Sequence, residues 1–207
     1  MTDLIEAALI ELDRLDEGAR AALFTDARTA YSFADVPVTD AQLRSIWDLA
    51  KWPPSSANSQ PLRVLFAHTA EAREALAAHM NDNNKARVLA APAVAVLAFD
   101  RGFHVHLSTT TPHLPRFAEF LEKNEGPRLE AARNNSWLQA GYFLLGVRAE
   151  GLAAGPMGGF NSATLDEEFF PAGDWGSFLV VTIGHPTEAS YRDRLPRLES
   201  ETVLRWA

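Results

Sequence analysis

A long apolar segment in the second half of the chain places the strictest limit on how this sequence can fold. Small and apolar residues recur there at helical spacing, namely Leu129, Ala132, Ser136, Trp137, Ala140, Phe143, Leu144 and Val147. The pattern predicts one helix from about Pro127 to Glu150, which ends at Gly151. Because the apolar residues occupy more than one side of this helix, one small sheet is not enough to cover it. We therefore expect a homodimer.

Other apolar runs predict the remaining elements. Three runs rich in β-branched and apolar residues are typical of buried strands: Leu62–Ala67, Ala93–Phe99 and Phe178–Ile183. Helix signals precede them at the N-terminus (Leu4, Ile5, Ala8, Leu9 and Leu12), after Thr39, and from Thr69 towards Met80. No repeat or linker divides the 207 residues. We expect a single domain over residues 1–207, with an N-terminal helical extension (1–23) and a C-terminal arm (190–207).

The composition excludes several classes of function. The 27 Asp and Glu against 19 Lys and Arg give a net charge of -8, which disfavours nucleic acid and anionic membranes as partners. Cysteine is absent, which rules out disulfides, thiolate nucleophiles and iron–sulfur clusters. The N-terminus resembles no export signal, and no run looks long and apolar enough to span a bilayer. We expect a cytoplasmic protein.

Common catalytic and nucleotide-binding signatures are also missing. The chain has no Gly-x-Gly-x-x-Gly motif, no Walker phosphate loop and no Gly-x-Ser-x-Gly motif. His104, His106 and His113 lie in a polar stretch with few carboxylates, which favours a solvated or lid-like loop over a metal site. Glu167 and Glu168 are interpreted as part of a solvated helix face. We therefore predict no metal.

Three other segments carry candidate binding groups. KWPPSSANSQPLR, residues 51–63, concentrates Pro, Ser and Asn, which suits either a capped connector or a loop that faces a polar ligand. GLAAGPMGGFN, residues 151–161, is either a helix-to-strand turn or a place where backbone amides approach a flat ligand. Arg192, Arg194 and Arg197 are either ordinary surface residues or a phosphate site.

In their order and spacing these segments resemble the FMN-dependent nitroreductase family. The resemblance runs from about Phe24 to Arg205 and is carried by FTDARTAYSFADVPVTDAQLRSIWDLAKWPPSSANSQPLR, RNNSWLQAGYFLLGVRAEGLAAGPMGGFN, FLVVTIGHP and YRDRLPRLES. It is closest to the malonic semialdehyde reductase branch. The implied fold is an α+β sandwich, with a mixed central sheet flanked by helices, in an intertwined homodimer.

The resemblance also implies a cofactor site for FMN. Arg28 would contact the flavin phosphate or ribityl chain, and Arg194 and Arg197 would close on the phosphate. Ser55, Ser56 and Asn58 would bind the flavin from the opposite subunit. The residues implied to lie against the isoalloxazine are Pro156, Met157, Gly158 and Gly159. Relatives commonly carry Arg-Arg-Ser where this chain has Ala27-Arg28-Thr29, so we expect the phosphate to depend more on the tail arginines.

The implied activity is a ping-pong hydride transfer from NADH or NADPH, through FMN, to a small-molecule acceptor. The acceptor suggested by the branch is malonic semialdehyde, reduced to 3-hydroxypropionate. Arg116, in the polar and aromatic segment 100–124, is the candidate anchor for its carboxylate. Two alternatives remain open at this point: a nitroaromatic or quinone reductase, and a non-catalytic FMN-binding protein.

Overall fold

The computed structural model of the protein describes residues 12–207 and is built around one four-stranded sheet. The strands are β1 (Leu62–Ala67), β2 (Ala93–Asp100), β3 (Ala153–Met157) and β4 (Trp175–Gly184). Their order across the sheet is β1-β2-β4-β3, and every neighbouring pair is antiparallel. This leaves β1 and β3 as the two edge strands.

Helices cover both faces of the sheet. In chain order they are α1 (Glu17–Arg20), α2 (Asp40–Ala50), α3 (Ala70–Ala78), α4 (Asp82–Ala90), α5 (Leu107–Thr110), α6 (Pro115–Lys123), α7 (Glu125–Ala149), α8 (Ser162–Phe169) and α9 (Ser200–Val203). A π-helical turn at Ala21–Thr25 and 3-10 turns at Ser56–Asn58, Phe103–His106 and Glu188–Ser190 complete the described chain.

The central strand β2 explains why the fold is a sandwich. All eight of its residues are buried, which matches its almost continuous apolar sequence AVAVLAFD. On one face Ala95 and Leu97 join a core with residues of α2 and α7. On the other face Val94 and Val96 join a second core with residues of α3, α4 and α8. The expected α+β sandwich is therefore confirmed.

Helix α7 is buried on one side only within the described chain. Phe143 and Val147 are fully buried against the sheet. Gly146 allows α2 to approach closely, because a Cβ there would lie 2.9 Å from the carbonyl oxygen of Ile46. Trp137 and Tyr142 nevertheless remain 53% and 41% exposed. The helix therefore presents apolar and aromatic side chains that this chain does not cover.

The sheet differs from the expected mixed one, because its four strands are antiparallel throughout. Strand β3 was also missed in the sequence, since its AAGPM stretch contains a glycine and a proline. As an edge strand it tolerates that proline, which lacks an amide donor. The helix expected from Thr69 to Met80 ends at Ala78, and α4 follows it.

The expected N-terminal helix lies outside the described residues except for its last positions. Leu12 is in coil, and the first helix of the described chain begins at Glu17. Within residues 12–207, no helix is long and apolar enough to cross a membrane.

Candidate functional site

A basic cleft forms where the C-terminal arm crosses the segment Ala27–Tyr31. Its volume is about 480 Å³. It is lined by Ala27, Arg28, Thr29, Tyr31, Leu144, Arg148, Ala154, Pro156, Arg192, Asp193, Arg194, Leu195 and Arg197. Five arginines and a single carboxylate thus share one cavity in a protein of net charge -8. This local excess of positive charge is suited to an anionic ligand.

Backbone and side-chain hydrogen bonds hold the walls of this cleft together. Arg148, near the end of α7, donates from Nη2 to the carbonyl oxygen of Arg28 at 2.7 Å. Arg194 of the arm donates to the carbonyl oxygen of Ala27 at 3.2 Å. The amide of Tyr31 donates to the carbonyl oxygen of Ser190 at 2.8 Å. Three separate elements, α7, the 27–31 segment and the arm, are therefore tied to one another at the cleft.

The arginines keep donors available for a ligand. Within the described chain, none of the five guanidinium groups forms a salt bridge with a carboxylate. Burial lowers the pKa of Arg148 from its usual value, and the neighbouring Arg194 lowers it further, while Tyr191 raises it. Arginine stays protonated at neutral pH even so. The cleft therefore offers one half-buried guanidinium, that of Arg148, and four exposed ones. Their fork-shaped donors have the geometry that binds phosphate oxygens in pairs.

Of the four residues implied to lie against the isoalloxazine, Pro156 is the one that lines the cleft, and Ala154 of the same Gly-rich segment lines it too. It lies on β3, where side chains alternate between the two faces of the sheet. Met157 therefore points the other way, and it is buried in the core with Val94 and Val96. Gly158 is exposed, and a Cβ there would meet nothing within 4 Å. The carbonyl oxygen of Gly159 accepts hydrogen bonds from Asn81 and Asn84, which fixes the turn after the strand.

The Ser/Asn-rich loop lies elsewhere, against the first half of α7. The Ser56 amide donates to Asn135 Oδ1 at 2.7 Å, and Asn58 Nδ2 donates to the carbonyl oxygen of Thr110 at 2.9 Å. Ser55 Oγ accepts from the amide of Gln60 at 3.2 Å. All three residues thus hold the loop in shape, and Ser56 and Asn58 are exposed.

This loop carries unusual backbone geometry. Ala57, Asn58 and Gln60 have φ angles of 52°, 49° and 45°. Positive φ is uncommon for residues other than glycine, and each such residue costs roughly 1–3 kcal/mol. Strained backbone of this kind clusters at ligand sites, where the surrounding contacts enforce it. The observation favours a binding loop over a plain connector.

The loop and the basic cleft are far apart in one chain. Asn135, which holds the loop, and Arg148, which lines the cleft, lie about 20 Å apart along α7, since an α-helix rises about 1.5 Å per residue. Within the part of the chain that the structure describes, Arg28, Pro156, Arg194 and Arg197 come together in the cleft. The residues Ser55, Ser56 and Asn58 do not join them.

Arg116 and the three histidines also lie outside the cleft. Arg116 is exposed in the first turn of α6. His104 is buried and pairs through Nε2 with Glu122 Oε2, which lowers the pKa of that carboxyl. His106 is 4.0 Å from Asp100 Oδ2, and His113 is exposed. Residues 12–207 contain no group of three His, Cys, Asp or Glu that could hold a metal ion.

The acidic pair of α8 has no catalytic arrangement. Glu167 is exposed, as expected for a solvated helix face. Glu168 is also exposed and lies 2.7 Å from Nε2 of His79, whose Nδ1 contacts Thr164 Oγ1. These contacts join the end of α3 to α8.

Sequence reasoning missed Arg148 and Tyr31, which line the cleft, and Tyr191, whose ring lies beside Arg28. Arg148 was interpreted only as part of the long helix, because the 3.6-residue periodicity of a helix does not indicate whether a pocket lies at the end of that helix. Tyr31 and Tyr191 gave no motif. The signal in the sequence was Gly155, whose missing side chain allows β3 to approach the 27–31 segment closely: a Cβ there would lie 2.6 Å from the carbonyl oxygen of Ala30. Arg148 and Arg192 supply positive charge where Ala27 replaces the first arginine of the family pattern.

The cleft fits the phosphate of FMN. A phosphate monoester carries about two negative charges and three acceptor oxygens, which match a cluster of guanidinium forks. Pro156 and Leu144 give the same cavity an apolar wall that suits a flat ring system. Gly158 follows Pro156 by two residues, and a Cβ there would meet nothing within 4 Å.

Comparisons with known proteins identify the family and the fold. A family model described as the Nitroreductase family matches residues 25–185. A Streptomyces coelicolor protein, provisionally named an NADH dehydrogenase/NAD(P)H nitroreductase, is 53% identical over 196 residues, covering 95% of this chain and 97% of that protein. A provisionally named nitroreductase from Bacillus subtilis has a similar structure, with a TM-score of 0.80 at 19% identity over 92% of this chain and 99% of that one.

A third similar structure contains a ligand. It is a provisionally named nitroreductase from Exiguobacterium sibiricum in complex with FMN, with a TM-score of 0.77 at 20% identity over 89% of this chain and 95% of that one. The family model, the extensive identity to the Streptomyces protein and the shared fold lead to one conclusion. This chain belongs to the Nitroreductase family.

Proposed function

We propose that the protein is an FMN-dependent oxidoreductase that takes its electrons from NADH or NADPH. The observation that carries this proposal is the cavity of five arginines beside an apolar wall. Family membership supports it, as do the NAD(P)H nitroreductase name of the Streptomyces relative and the FMN bound in the Exiguobacterium structure.

The residues of the cleft have distinct roles in this proposal. Arg148, Arg194 and Arg197 bind the phosphate, together with Arg28 and Arg192. Pro156 supports the flavin ring, and the exposed backbone at Gly158, with the half-buried Gly159 after it, lets amide groups approach the edge of the ring. Met157 supports the strand from within the core, so its contribution to the flavin is confined to its backbone.

Bound FMN supplies the two-electron chemistry, and the protein supplies position and electrostatics. Arg148 is half-buried, which strengthens its interaction with an anion, whereas the other four arginines of the cleft are exposed. We propose that NAD(P)H and the acceptor use the same exposed face in turn, as in a ping-pong reaction.

A direct experiment tests the activity. The purified protein is expected to be yellow, to release FMN on heating, and to lose its flavin absorbance under anaerobic addition of NADH or NADPH. Its turnover is then compared with a nitroaromatic and a quinone at matched NAD(P)H. Bound FMN that neither nucleotide bleaches would identify a non-catalytic flavin-binding protein. Failure to bind added FMN would contradict the proposal.

We further propose that the protein works as a homodimer in which each cofactor site uses both subunits. The Ser55–Asn58 loop has the strained geometry of a binding loop, yet it lies about 20 Å along α7 from its own cleft. A partner related by twofold symmetry brings one subunit's loop to the other subunit's cleft.

Exposed apolar surfaces support the dimer. On α7 these are Trp137, Leu138 and Tyr142. On the arm, Leu195, Leu198 and Trp206 are 74%, 75% and 90% exposed. A groove of about 570 Å³ lies between α2 and the edge strand β1, and apolar residues such as Trp47 and Phe66 line it. Such surfaces are typical of an interface between subunits.

The dimer prediction is tested on the exposed side of α7. We expect light scattering to give twice the chain mass for the parent protein. Leu138→Glu should yield monomers with weaker FMN binding, because a carboxylate at the interface must be desolvated. Glu119→Gln on the exposed face of α6 is the control and should stay dimeric. A monomeric parent protein that binds FMN fully would contradict the shared site.

The acceptor is the least constrained part of the function. The name of the Streptomyces relative favours a nitroaromatic or quinone-type acceptor. The resemblance to the malonic semialdehyde reductase branch favours a short aldehyde acid instead, with Arg116 as the carboxylate anchor. The exposure of Arg116 on α6, next to the α5 segment that holds the Ser/Asn-rich loop, is the structural support for this second candidate.

We expect a distinct result for each candidate. If malonic semialdehyde is the acceptor, its kcat/KM exceeds that of an uncharged aldehyde of similar size, and Arg116→Ala removes most of that advantage. Lys123→Ala, on the same helix, is the matched control. If the advantage is absent in the parent protein, the semialdehyde assignment is wrong; if it survives in Arg116→Ala, the anchor is wrong.

A cytoplasmic location also remains a prediction. Fractionation of the native host tests it, and recovery of the protein in an extracytoplasmic fraction would contradict it.

A further inference from the structure

We infer that Tyr31 and Tyr191 are positioning residues for anion binding, because their rings hold two arginines of the basic cleft in place. The inference rests on the proposed function, since the anion in question is the phosphate of FMN. It assigns a role to two aromatic residues that no binding motif includes.

The two tyrosines form reciprocal contacts with the two arginines. Arg192 of the C-terminal arm lies over the ring of Tyr31, with Cζ 3.9 Å from the ring centroid. Arg28, three residues before Tyr31, lies over the ring of Tyr191, at 5.0 Å. Each segment thus places an arginine on the tyrosine of the other. The hydrogen bond from the Tyr31 amide to the Ser190 carbonyl oxygen fixes the register of this pairing.

A second arginine, Arg87, also contacts the ring of Tyr31. Arg87 of α4 lies 4.7 Å from the Tyr31 centroid and donates from Nη2 to the carbonyl oxygen of Ala30. Burial lowers the pKa of Arg87 from its usual value. The ring therefore contacts two guanidinium groups. Arg192 lines the cleft, whereas Arg87 does not.

The chemistry of the contact explains why it prepares a phosphate site. A guanidinium that stacks on an aromatic ring uses its flat face, so the N–H groups at its edge remain available to an anion. Five arginines in one cavity repel each other, and each flexible side chain loses conformational freedom when it is ordered. The electron-rich ring faces offset part of that repulsion and restrict the arginines before the ligand arrives.

Substitution at Tyr31 separates positioning from general stability. Tyr31→Phe keeps the aromatic face and is expected to bind FMN as the parent protein does. Tyr31→Leu removes it and should raise the Kd for FMN by roughly two- to fivefold, as expected for loss of an exposed cation–π contact. Riboflavin lacks the phosphate, so its Kd should change less than twofold in either variant. Fluorescence quenching of each flavin by the full-length protein gives these values.

A double-mutant cycle tests whether Tyr31 acts through Arg192. Once Arg192→Ala is present, adding Tyr31→Leu should cause almost no further loss of FMN affinity. Additive losses would overturn the inference, and so would a parallel loss of riboflavin and FMN binding, which indicates general damage to the fold. Tyr31→Leu with unchanged FMN affinity overturns it as well. A parent protein that binds neither flavin instead removes the proposed function, and the inference with it.

Discussion

Replacing Arg148 with alanine is expected to raise the Kd for FMN by roughly 10- to 150-fold. Arg148 is half-buried at the end of α7 and lines the cleft, while its Nη2 also donates to the carbonyl oxygen of Arg28. Hydrogen bonds to charged groups contribute about 1.5–3 kcal/mol each. A factor of ten in Kd corresponds to about 1.4 kcal/mol, which gives the expected range.

We expect FMN affinity to depend on the fork-shaped geometry of the Arg148 side chain as well as on its charge. Arg148→Lys keeps the positive charge but loses the fork, so it should fall between the parent protein and Arg148→Ala. Arg14→Ala removes one exposed positive charge outside the cleft and is the matched control. FMN titrations at two salt concentrations measure all four proteins. Equal affinities in Arg148→Ala and Arg14→Ala would exclude Arg148 from the phosphate site.

The sequence predicted the central elements of the fold because their patterns are local. Leu62–Ala67 forms a strand with the expected bounds, and the strand expected over Ala93–Phe99 extends one residue further, to Asp100. Thr39 caps α2 through the amide of Gln42, as expected from its position before an apolar helical face. In each case hydrophobic periodicity and capping chemistry agree with the tertiary structure.

The basic cleft could be predicted only in part, because it is assembled from distant segments. The arm arginines were identified by their clustering, and Arg28 by resemblance to the family. Arg148 carries no local signal, since an arginine in the last turn of a helix is common for reasons of the helix dipole alone. Its role depends on where α7 ends relative to Ala27–Tyr31, which is a property of the tertiary fold.

Strand β3 also could not be predicted from its local sequence. Glycine and proline in AAGPM locally favour a turn, so the sequence predicted a loop. The structure places these residues on an edge strand, where Pro156 faces the cleft and Gly155 lies against the 27–31 segment. The residues that weaken the strand signal are those required by the close packing beside the cleft.

That packing makes Gly155 the position where a single methyl group should have the largest effect on the fold. A Cβ at Gly155 would lie 2.4 Å from Thr182 Oγ1, 2.6 Å from the carbonyl oxygen of Ala30 and 2.9 Å from Arg87 Nη2. The amide of Ala30 donates to the carbonyl oxygen of Ala154, so the segment that carries Arg28 and Tyr31 is held directly against β3. Relief of the clash therefore requires this segment to move away from the strand.

Gly155→Ala is accordingly expected to lower the free energy of unfolding by about 2–3 kcal/mol, the upper part of the range for overpacked cores. For a chain of this size the loss corresponds to a fall in Tm of roughly 5–10 °C. FMN affinity should fall as well, because displacement of the segment separates Arg28 from Arg148. The control is Gly126→Ala, at the start of α7. The new Cβ has nothing within 4 Å, so this change should leave Tm unchanged or slightly raised. Thermal unfolding with and without excess FMN measures both effects. If Gly155→Ala matches the control in Tm and FMN affinity, the close approach of β3 to the 27–31 segment does not shape the cleft.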